Sequence, residues 1–401
     1  MGYRVRAFAR LFAFIALVVL AFPASSFAWH WPKIDPILLF PGEPMKVVII
    51  DMPDFGLDTR NAVDLAVEQF GKKIDGHMIR TQAYPFGCDE EVEGNDRFLK
   101  RVTRNDRVVG VIGPICSGVA SRQVPILSAA GILTISPANT TADFSTPEFH
   151  EENRYYFRTA PSDLIQGTID GSFASTPVAQ GGLGASRAAI LYYPDESYPE
   201  SLRASFKQTF AGTVVGEFPV SFDQEDFSAV IAQMEALNVD VVYAPIFENL
   251  TFFFEQLRGG NGAVRGVPVF ATDGFFGDFI FEVFGDNPEE LYLSTVNSEG
   301  PHFVAFYNDY VAKYGIEPNP FEGFAYDATR LLLKAVADKS FRVGKFLFLD
   351  PRSLVAYMED GIHYPYNGAG GVYSTPTGAD LNSKGFSVYK AENGDFTPLY
   401  P

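Results

Sequence analysis

The stretch VVGVIGPICSGVASRQVPILSAAGILTIS, residues 108–136, decides the fold of this chain. It begins with the continuous apolar run Val108–Ile112, which is typical of a parallel strand covered on both faces. A glycine–proline turn and a helical segment follow, and a second strand is predicted at Ile132–Ser136. Because two parallel strands joined by a helix form a right-handed crossover, the stretch predicts an open, mostly parallel sheet with helices on its faces.

The same alternation of short apolar strands and amphipathic helices continues on both sides of this stretch. An earlier strand is predicted at Val47–Ile50, and helices at His302–Tyr314 and Phe324–Ala337 precede a C-terminal hairpin that turns at Asn393-Gly394. A second run of strands is predicted at Ala188–Tyr193, Val214–Phe218, Val239–Ala244 and Val267–Ala271. Two runs require two sheets, so the predicted fold is α/β, with two doubly wound parallel-sheet lobes and a cleft between them.

Composition and charge exclude several classes of protein. Of the 401 residues, 47% are hydrophobic and 20% are charged, which indicates a folded chain with sizeable cores. The formal net charge of −18 disfavours binding to nucleic acid and docking on an anionic membrane surface. The five histidines are scattered, and the sequence has no metal-binding motif, nucleophile elbow or phosphate-binding loop. These absences predict no metal, no cofactor and no catalytic centre.

The beginning of the chain has the pattern of a secretory signal peptide. Three arginines within residues 4–10 precede the apolar run Leu11–Phe22, and small residues stand at positions 26 and 28. The alternative is a retained membrane anchor, but the run is about a dozen residues long, whereas a spanning helix needs roughly 20. We therefore predict a signal peptide over residues 1–28 and no membrane-inserted segment in the mature chain. Residues 29–44 are predicted to form an extended lead-in, with packing against a lobe as the alternative.

Export has a consequence for the two cysteines, Cys88 and Cys116. In an oxidising compartment they can form a disulfide, and closing a loop of about 29 residues contributes roughly 3–4 kcal/mol on the chain-entropy model. Two buried free thiols are the alternative that the residues alone leave open.

Three polar residues follow predicted strands, at the sheet edge where open α/β folds bind ligands. Ser117 begins a helix whose N-terminal N–H groups favour a carboxylate, although a simple N-cap uses the same residue. Thr140 follows the next strand, where a plain turn is the alternative, and Asp273 follows a strand of the second run, where it can neutralise an ammonium or cap a loop. Anion donors in one lobe and an acid in the other together indicate a zwitterionic ligand.

Several motifs occur in the order and spacing of a known family. They are VIGPICSG at 111–118, GILTISPA at 131–138, YFR at 156–158, PSD at 161–163 and QG at 166–167. Here the chain resembles the leucine/isoleucine/valine-binding proteins, the type I solute-binding proteins of ABC amino-acid importers. The resemblance implies two lobes joined by three hinge crossings. The expected lobes are residues 45–160 with 298–371, and residues 161–297 with 372–401.

The resemblance also implies roles for individual residues. Ser117 and Thr140 correspond to the residues that bind the ligand carboxylate, while the carbonyl of Ala138 and the carboxylate of Asp273 correspond to partners of the ammonium. Cys88 and Cys116 correspond to a disulfide of the family. The residues that correspond to aromatic walls are Tyr198, Phe247 and Phe55.

The expected function is that of a periplasmic, monomeric binding protein. It captures a branched-chain or other apolar amino acid and delivers it to the permease subunits of an ABC importer. Alternative ligands are an amide, a urea-like solute or an aromatic carboxylate, and an alternative role is ligand sensing without transport. The acid at Asp273 favours an amino group, because an uncharged or anionic ligand leaves that carboxylate unpaired. A secreted hydrolase is disfavoured, since no nucleophile–base pair is recognisable.

Overall fold

The computed structural model describes residues 34–52, 59–86, 88, 92–297, 299–360, 364–382 and 385–400. The predicted signal peptide, the beginning of the lead-in and Phe55 lie outside the described residues. Ile34–Pro401 forms one structural unit, and the description that follows concerns this unit alone.

The strands are, in chain order, β1 (Ile37–Leu39), β2 (Met45–Asp51), β3 (Lys73–Ile74), β4 (His77–Pro85), β5 (Val108–Ile112), β6 (Thr134–Ser136), β7 (Tyr156–Arg158), β8 (Arg187–Tyr192), β9 (Thr213–Pro219), β10 (Val241–Ala244), β11 (Val269–Ala271), β12 (Leu291–Val296), β13 (Phe341–Val343), β14 (Phe346–Leu349), β15 (Tyr366–Asn367), β16 (Val372–Thr377), β17 (Asp380–Asn382), β18 (Phe386–Glu392) and β19 (Asp395–Tyr400).

The α-helices are α1 (Arg60–Phe70), α2 (Val92–Thr103), α3 (Ser117–Ala129), α4 (Pro147–Glu152), α5 (Asp163–Ser175), α6 (Ser197–Thr209), α7 (Ser228–Ala236), α8 (Leu250–Gly259), α9 (Phe279–Phe284), α10 (Pro301–Tyr314), α11 (Glu322–Lys339) and α12 (Pro351–Glu359). Short 3₁₀ turns cover Ala142–Ser145, Val178–Gln180 and Asp273–Phe275.

The first lobe is built on a nine-stranded sheet with the order β15-β16-β17-β7-β6-β5-β2-β4-β3. Its central strands, from β7 to β4, are parallel. Strand β2 shows why such strands read as unbroken apolar runs: Val48 and Ile50 enter one hydrophobic cluster, while Val47 and Ile49 enter the cluster on the opposite face. Both faces are covered by helices, which confirms the predicted architecture.

The second lobe is built on a seven-stranded sheet with the order β19-β18-β12-β11-β10-β8-β9. Strands β9, β8, β10, β11 and β12 are parallel, and the hairpin β18–β19 completes the sheet in antiparallel fashion. The hairpin turns at Asn393 and Gly394, whose φ angles of 58° and 72° are those of a tight hairpin turn. One hydrophobic cluster extends from Val111 of the first lobe to Ile190 of the second, so the lobes are in contact.

Sheet membership corrects one predicted lobe boundary. We expected the second lobe to resume at residue 372, but β16 and β17 both pair within the nine-stranded sheet. Strand β17 lies parallel to β7, with Asp380 opposite Arg158, and β18 is the next strand to join the second sheet. The last crossing between the lobes therefore lies between Asn382, which ends β17, and Phe386, which begins β18.

The segment predicted as an extended lead-in, with packing against a lobe as the alternative, is packed where the structure describes it. Strand β1 pairs antiparallel with β14, and these two form a small three-stranded sheet with β13. Leu39 is buried in the first-lobe core. Burial of such apolar side chains makes residues 34–44 part of the lobe rather than a linker.

The predicted disulfide is present. Cys88 and Cys116 are bonded, with 5.4 Å between their Cα atoms, and both are buried. The bond joins the loop after β4 to the residue immediately before helix α3.

Candidate functional site

Ser117 is placed at the carboxyl end of strand β5 by a short turn. It is the first residue of helix α3, follows the disulfide-bonded Cys116, and is buried. The first N–H groups of a helix have no intrahelical partner and carry partial positive charge. Ser117 therefore combines a hydroxyl with a helix N-terminus at one point of the cleft.

The loop that carries Ala138 and Thr140 is held beside this turn by hydrogen bonds. The Ser136 hydroxyl accepts the N–H of Ala138 at 3.3 Å and donates to the Pro114 carbonyl at 2.7 Å. The Asn139 side chain donates to the Ile115 carbonyl at 2.6 Å. Because β5 and β6 are neighbouring parallel strands, these bonds bring the 138–140 loop next to the turn before Ser117. Thr140 is almost fully buried.

Asp273 follows strand β11 in the second lobe and is partly buried. One carboxylate oxygen, Oδ1, accepts hydrogen bonds from Gln166 Nε2 at 2.6 Å and from the Tyr198 hydroxyl at 2.9 Å. The Tyr198 hydroxyl also lies 2.8 Å from Thr272 Oγ1. Burial raises the pKa of Asp273 to about 6, while the bonds from Gln166 and Tyr198 oppose that rise. Two residues predicted separately, Tyr198 and Asp273, are thus in direct contact.

Phe247 forms an aromatic wall with Tyr198. Their rings are stacked with centroids 5.8 Å apart and an interplanar angle of 8°. Phe222 and Tyr193 extend the stack, with 5.9 Å between Phe222 and Phe247 and 4.0 Å between Phe222 and Tyr193. A Cβ atom at Gly274 would come within 2.7 Å of the Phe247 ring. The wall is therefore packed tightly against the loop that carries Asp273.

Asp163 lies beside these residues, and the sequence analysis gave it no role. It begins helix α5 just after the first crossing between the lobes, is fully buried, and its N–H donates to the Thr140 carbonyl at 2.7 Å. Within the described part of the chain, neither oxygen of its carboxylate has a well-formed hydrogen bond, although the hydroxyls of Thr140 and Ser201 lie alongside. Burial raises the pKa of Asp163 to about 8, and the nearby charge of Asp273 adds to the rise.

Arg158 is a buried cation close to these acids, but its hydrogen bonds are already used. It is bonded to Asp380, to the carbonyls of Asn139 and Thr141 at 3.1 and 2.7 Å, and to the Ser145 hydroxyl at 2.6 Å. Its bonds fix the 139–145 loop and the edge of the sheet. Arg158 therefore supports the loop beside the carboxyls of Asp163 and Asp273.

The two lobes touch directly beside these residues. The Thr141 hydroxyl donates to the Ser197 carbonyl at 3.2 Å, and the Ala142 N–H donates to the Ser201 hydroxyl at 2.8 Å. The Glu196 carboxylate lies against Gly118, where an added Cβ atom would be only 2.3 Å from its Oε2. The described conformation is therefore closed over the site.

The structure brings most of the predicted residues to one region. Ser117, Ala138 and Thr140 lie on first-lobe loops, and Asp163 connects Thr140 to the second-lobe group of Tyr198, Phe247 and Asp273. Phe55 lies outside the described residues. Among the residues that the structure describes, no group of three or more His, Cys, Asp or Glu side chains is arranged to hold a metal ion. Within the same residues, no helix combines the length and apolar character needed to cross a bilayer.

Comparison with known proteins identifies related sequences. A family model described as "Periplasmic binding protein" matches residues 51–394. The chain is 24% identical over 239 residues to the leucine-, isoleucine-, valine-, threonine- and alanine-binding protein of Pseudomonas aeruginosa, in an alignment that covers 58% of each chain. It is 31% identical over 143 residues to the leucine-specific-binding protein of Salmonella typhimurium, covering 35% of this chain and 36% of that protein. These alignments span less than two thirds of the relatives' length.

Solved structures share the fold. A branched-chain amino acid transporter substrate binding protein from Streptococcus pneumoniae, in complex with isoleucine, has a TM-score of 0.73 at 20% identity and covers 90% of this chain and 100% of that one. A solute binding protein from R. palustris, in complex with benzoate, has a TM-score of 0.71 at 20% identity, covering 89% and 96%. At such identities the likeness shows the two-lobed fold alone.

Proposed function

Since the chain belongs to the periplasmic binding protein family, we propose that it captures an apolar amino acid of the branched-chain type between its two lobes. It then delivers the amino acid to the permease subunits of an ABC importer and catalyses no reaction. We further propose that it acts in the periplasm as a monomer after removal of residues 1–28. In this proposal the lobes comprise residues 34–160 with 298–382, and residues 161–297 with 385–400.

The observation that carries the proposal is the buried carboxyl of Asp163. A buried carboxylate without well-formed hydrogen bonds is costly, and an ammonium offers three donors that would satisfy it. Asp273 lies close enough for its charge to raise the pKa of Asp163. Gln166 and Tyr198 both bond Oδ1 of Asp273, and neither of these bonds uses Oδ2. Two neighbouring acids of this kind favour a ligand that carries a positive charge.

The other pole of the ligand is served by the first lobe. The helix N-terminus at Ser117 and the hydroxyls of Ser117 and Thr140 provide donors for a carboxylate. Donors and acids that lie side by side match an amino acid, whose carboxylate and ammonium are attached to the same carbon. The stacked rings of Tyr198 and Phe247 then provide an apolar surface for its side chain.

An aromatic carboxylate is the second candidate, favoured by the same aromatic stack and by the benzoate complex of the R. palustris protein. A thermal-shift screen separates the two candidates, because a ligand of the native state stabilises it by about 2.7 kcal/mol at a concentration of 100 Kd. We expect leucine, isoleucine or valine to raise the melting temperature and benzoate to leave it unchanged. Stabilisation by benzoate alone would transfer the proposal to aromatic acids.

Asp273→Ala is expected to weaken amino-acid binding at least tenfold, because one charge-assisted interaction with the ammonium contributes roughly 1.5–3 kcal/mol. Isothermal calorimetry on the folded variant measures the loss. Asp278→Ala is the matched control, because Asp278 lies five residues along the same loop region and precedes helix α9. Equal affinities of wild type and Asp273→Ala would remove Asp273 from the site.

Ser117→Ala tests the carboxylate end of the site. We expect the affinity for leucine to fall at least tenfold through loss of one hydroxyl hydrogen bond to a charged group, about 1.5–3 kcal/mol, with the melting temperature little changed. The affinity for leucinamide, which lacks the carboxylate, should fall less. If the variant lowers only the melting temperature, Ser117 acts solely on the helix.

A further inference from the structure

The edge of the nine-stranded sheet opposite the ligand site carries a group of basic side chains. Lys46 is opposite Arg80 on the neighbouring parallel strands β2 and β4, and the Lys46 N–H donates to the Arg107 carbonyl at 2.7 Å, just before β5. Arg104 lies one turn earlier in the chain. We call Lys46, Arg80, Arg104 and Arg107 the basic pole. It lies at the amino ends of the strands, whereas Ser117 and Thr140 follow their carboxyl ends.

Two adjoining grooves run through the basic pole. One has a volume of about 420 Å³ and is lined by Lys46, Met78 and Arg80, among others. The other has a volume of about 370 Å³ and includes Phe40, Arg104 and Arg107, again with Lys46. Lys46 therefore belongs to both grooves, and the four cations form one continuous surface.

The cations of the basic pole are available to a partner. The three arginines are exposed and Lys46 is half-buried, with its ammonium 3.3 Å from Gln82 Oε1. Across the described ranges, none of the four forms an ion pair, in contrast to Arg203 and Lys207, which both bond Glu217. The second groove also contains two acids, Glu43 and Asp106, so the four cations of the basic pole outnumber the acids that line the grooves. A chain of net charge −18 thus has one pole at which cations are in excess.

Large apolar side chains are exposed in the same grooves. Phe40 is 45% exposed and Met78 is 41% exposed. Basic residues beside exposed aromatic and aliphatic side chains are typical of surfaces that lie against lipid headgroups, because the cations meet anionic lipids and the apolar groups enter the interface. A soluble polyanion would use the cations but would gain little from Phe40 and Met78.

The chain also joins the fold at this pole. Ile34 packs so closely on Gly131, shortly before β6 begins, that a Cβ atom there would lie 2.4 Å from the Ile34 side chain. Ile34, the first residue that the structure describes, therefore lies at this end of the sheet.

We propose that the basic pole docks reversibly on an anionic phospholipid bilayer. The contact leaves the ligand cleft, at the opposite edge of the sheet, accessible to solute. This proposal differs from the prediction that the net charge of −18 disfavours docking on an anionic membrane surface. Within a Debye length of the bilayer, the attraction is determined by the local cations rather than by the net charge. The docking surface does not involve the ligand site, so its test is independent of the proposed function.

The test is co-sedimentation of the chain lacking residues 1–28 with vesicles of phosphatidylcholine alone or with one quarter phosphatidylglycerol. We expect binding to the phosphatidylglycerol vesicles at low ionic strength and its loss at about 0.5 M salt. The variant Lys46→Gln/Arg80→Gln/Arg104→Gln/Arg107→Gln should bind at least tenfold more weakly. The variant Phe40→Ser/Met78→Ser should also bind more weakly.

A second quadruple variant controls for net charge. Lys207→Gln/Arg265→Gln/Lys334→Gln/Lys390→Gln removes the same number of cations from ion pairs elsewhere on the surface and should bind vesicles like the wild type. Failure of the wild type to bind phosphatidylglycerol vesicles, or equal losses in both quadruple variants, would overturn the proposal. Retention on heparin without binding to vesicles would also overturn it, in favour of a soluble polyanion.

Discussion

The affinity for leucine should rise about a hundredfold between pH 6 and pH 8. Leucine keeps its ammonium protonated over this range, and the ammonium binds ionised carboxylates. Burial raises the pKa of Asp163 to about 8 and that of Asp273 to about 6. At pH 6, most Asp163 carboxyls and half of the Asp273 carboxyls hold a proton that must leave when the ligand binds. At pH 8, Asp273 is ionised and Asp163 is half ionised, so the cost of deprotonation largely disappears.

Calorimetry at pH 6, 7 and 8, in buffers of different ionisation enthalpy, measures both the affinity and the number of protons released. Asp163→Asn is the matched variant, because it keeps the shape of the side chain and removes the titrating group. Its affinity should be lower at pH 8 and nearly independent of pH. A wild-type affinity that is constant over this range, or that falls as the pH rises, would contradict the assignment of Asp163 to the ammonium.

Removal of the disulfide is expected to lower the free energy of unfolding by roughly 3–4 kcal/mol. The bonded residues are separated by 28 positions, so the bond restricts a loop of moderate length in the unfolded chain. The variant Cys88→Ala/Cys116→Ala introduces no new polar group into the two buried positions. Urea unfolding monitored by circular dichroism measures the difference, and the wild type in reducing agent should show a similar loss.

The same double variant should also weaken ligand binding, because Cys116 immediately precedes Ser117 and the bond fixes the turn before helix α3. A single Cys88→Ala variant controls for the free thiol of Cys116. A loss of stability below about 1 kcal/mol in the double variant would show that the described packing holds this loop without the bond.

Much of the fold could be predicted from apolar runs alone. Strand β5 has the predicted bounds, and Val269–Ala271 begins two residues later than predicted. Such strands are recognisable in the sequence because helices cover both of their faces and leave no polar positions. Strand β12 was not predicted, since Ser294 and Thr295 interrupt its apolar pattern although both are buried. Membership of β16 and β17 in the first sheet could not be read either, because pairing between strands distant in sequence leaves no local pattern.

The site was predictable where a residue follows a strand, and less so elsewhere. Ser117, Thr140 and Asp273 all lie at such positions. Asp163 belongs to the motif PSD, yet an acid in the first turn of a helix is also the ordinary choice for the helix dipole. What distinguishes Asp163 is its complete burial, which arises only when Thr140 of one lobe and Ser201 of the other close over it. The basic pole was not predicted for a similar reason, because Lys46, Arg80 and Arg107 are far apart in sequence.

The contact between Arg158 and Asp380 bears on how the lobes can move. These residues face each other on β7 and β17, the last strands of the first sheet before two of the three connections to the second lobe. Arg158 is fully buried, and its ion pair with Asp380 holds together the two strands from which these connections begin. Rotation of the second lobe about an axis through the ends of β7 and β17 would keep the ion pair, whereas sliding of one connection past the other would break it. We therefore expect the cleft to open by rotation of the second lobe in a single plane. Distances between spin labels attached at positions 207 and 339, one on each lobe, would measure this rotation.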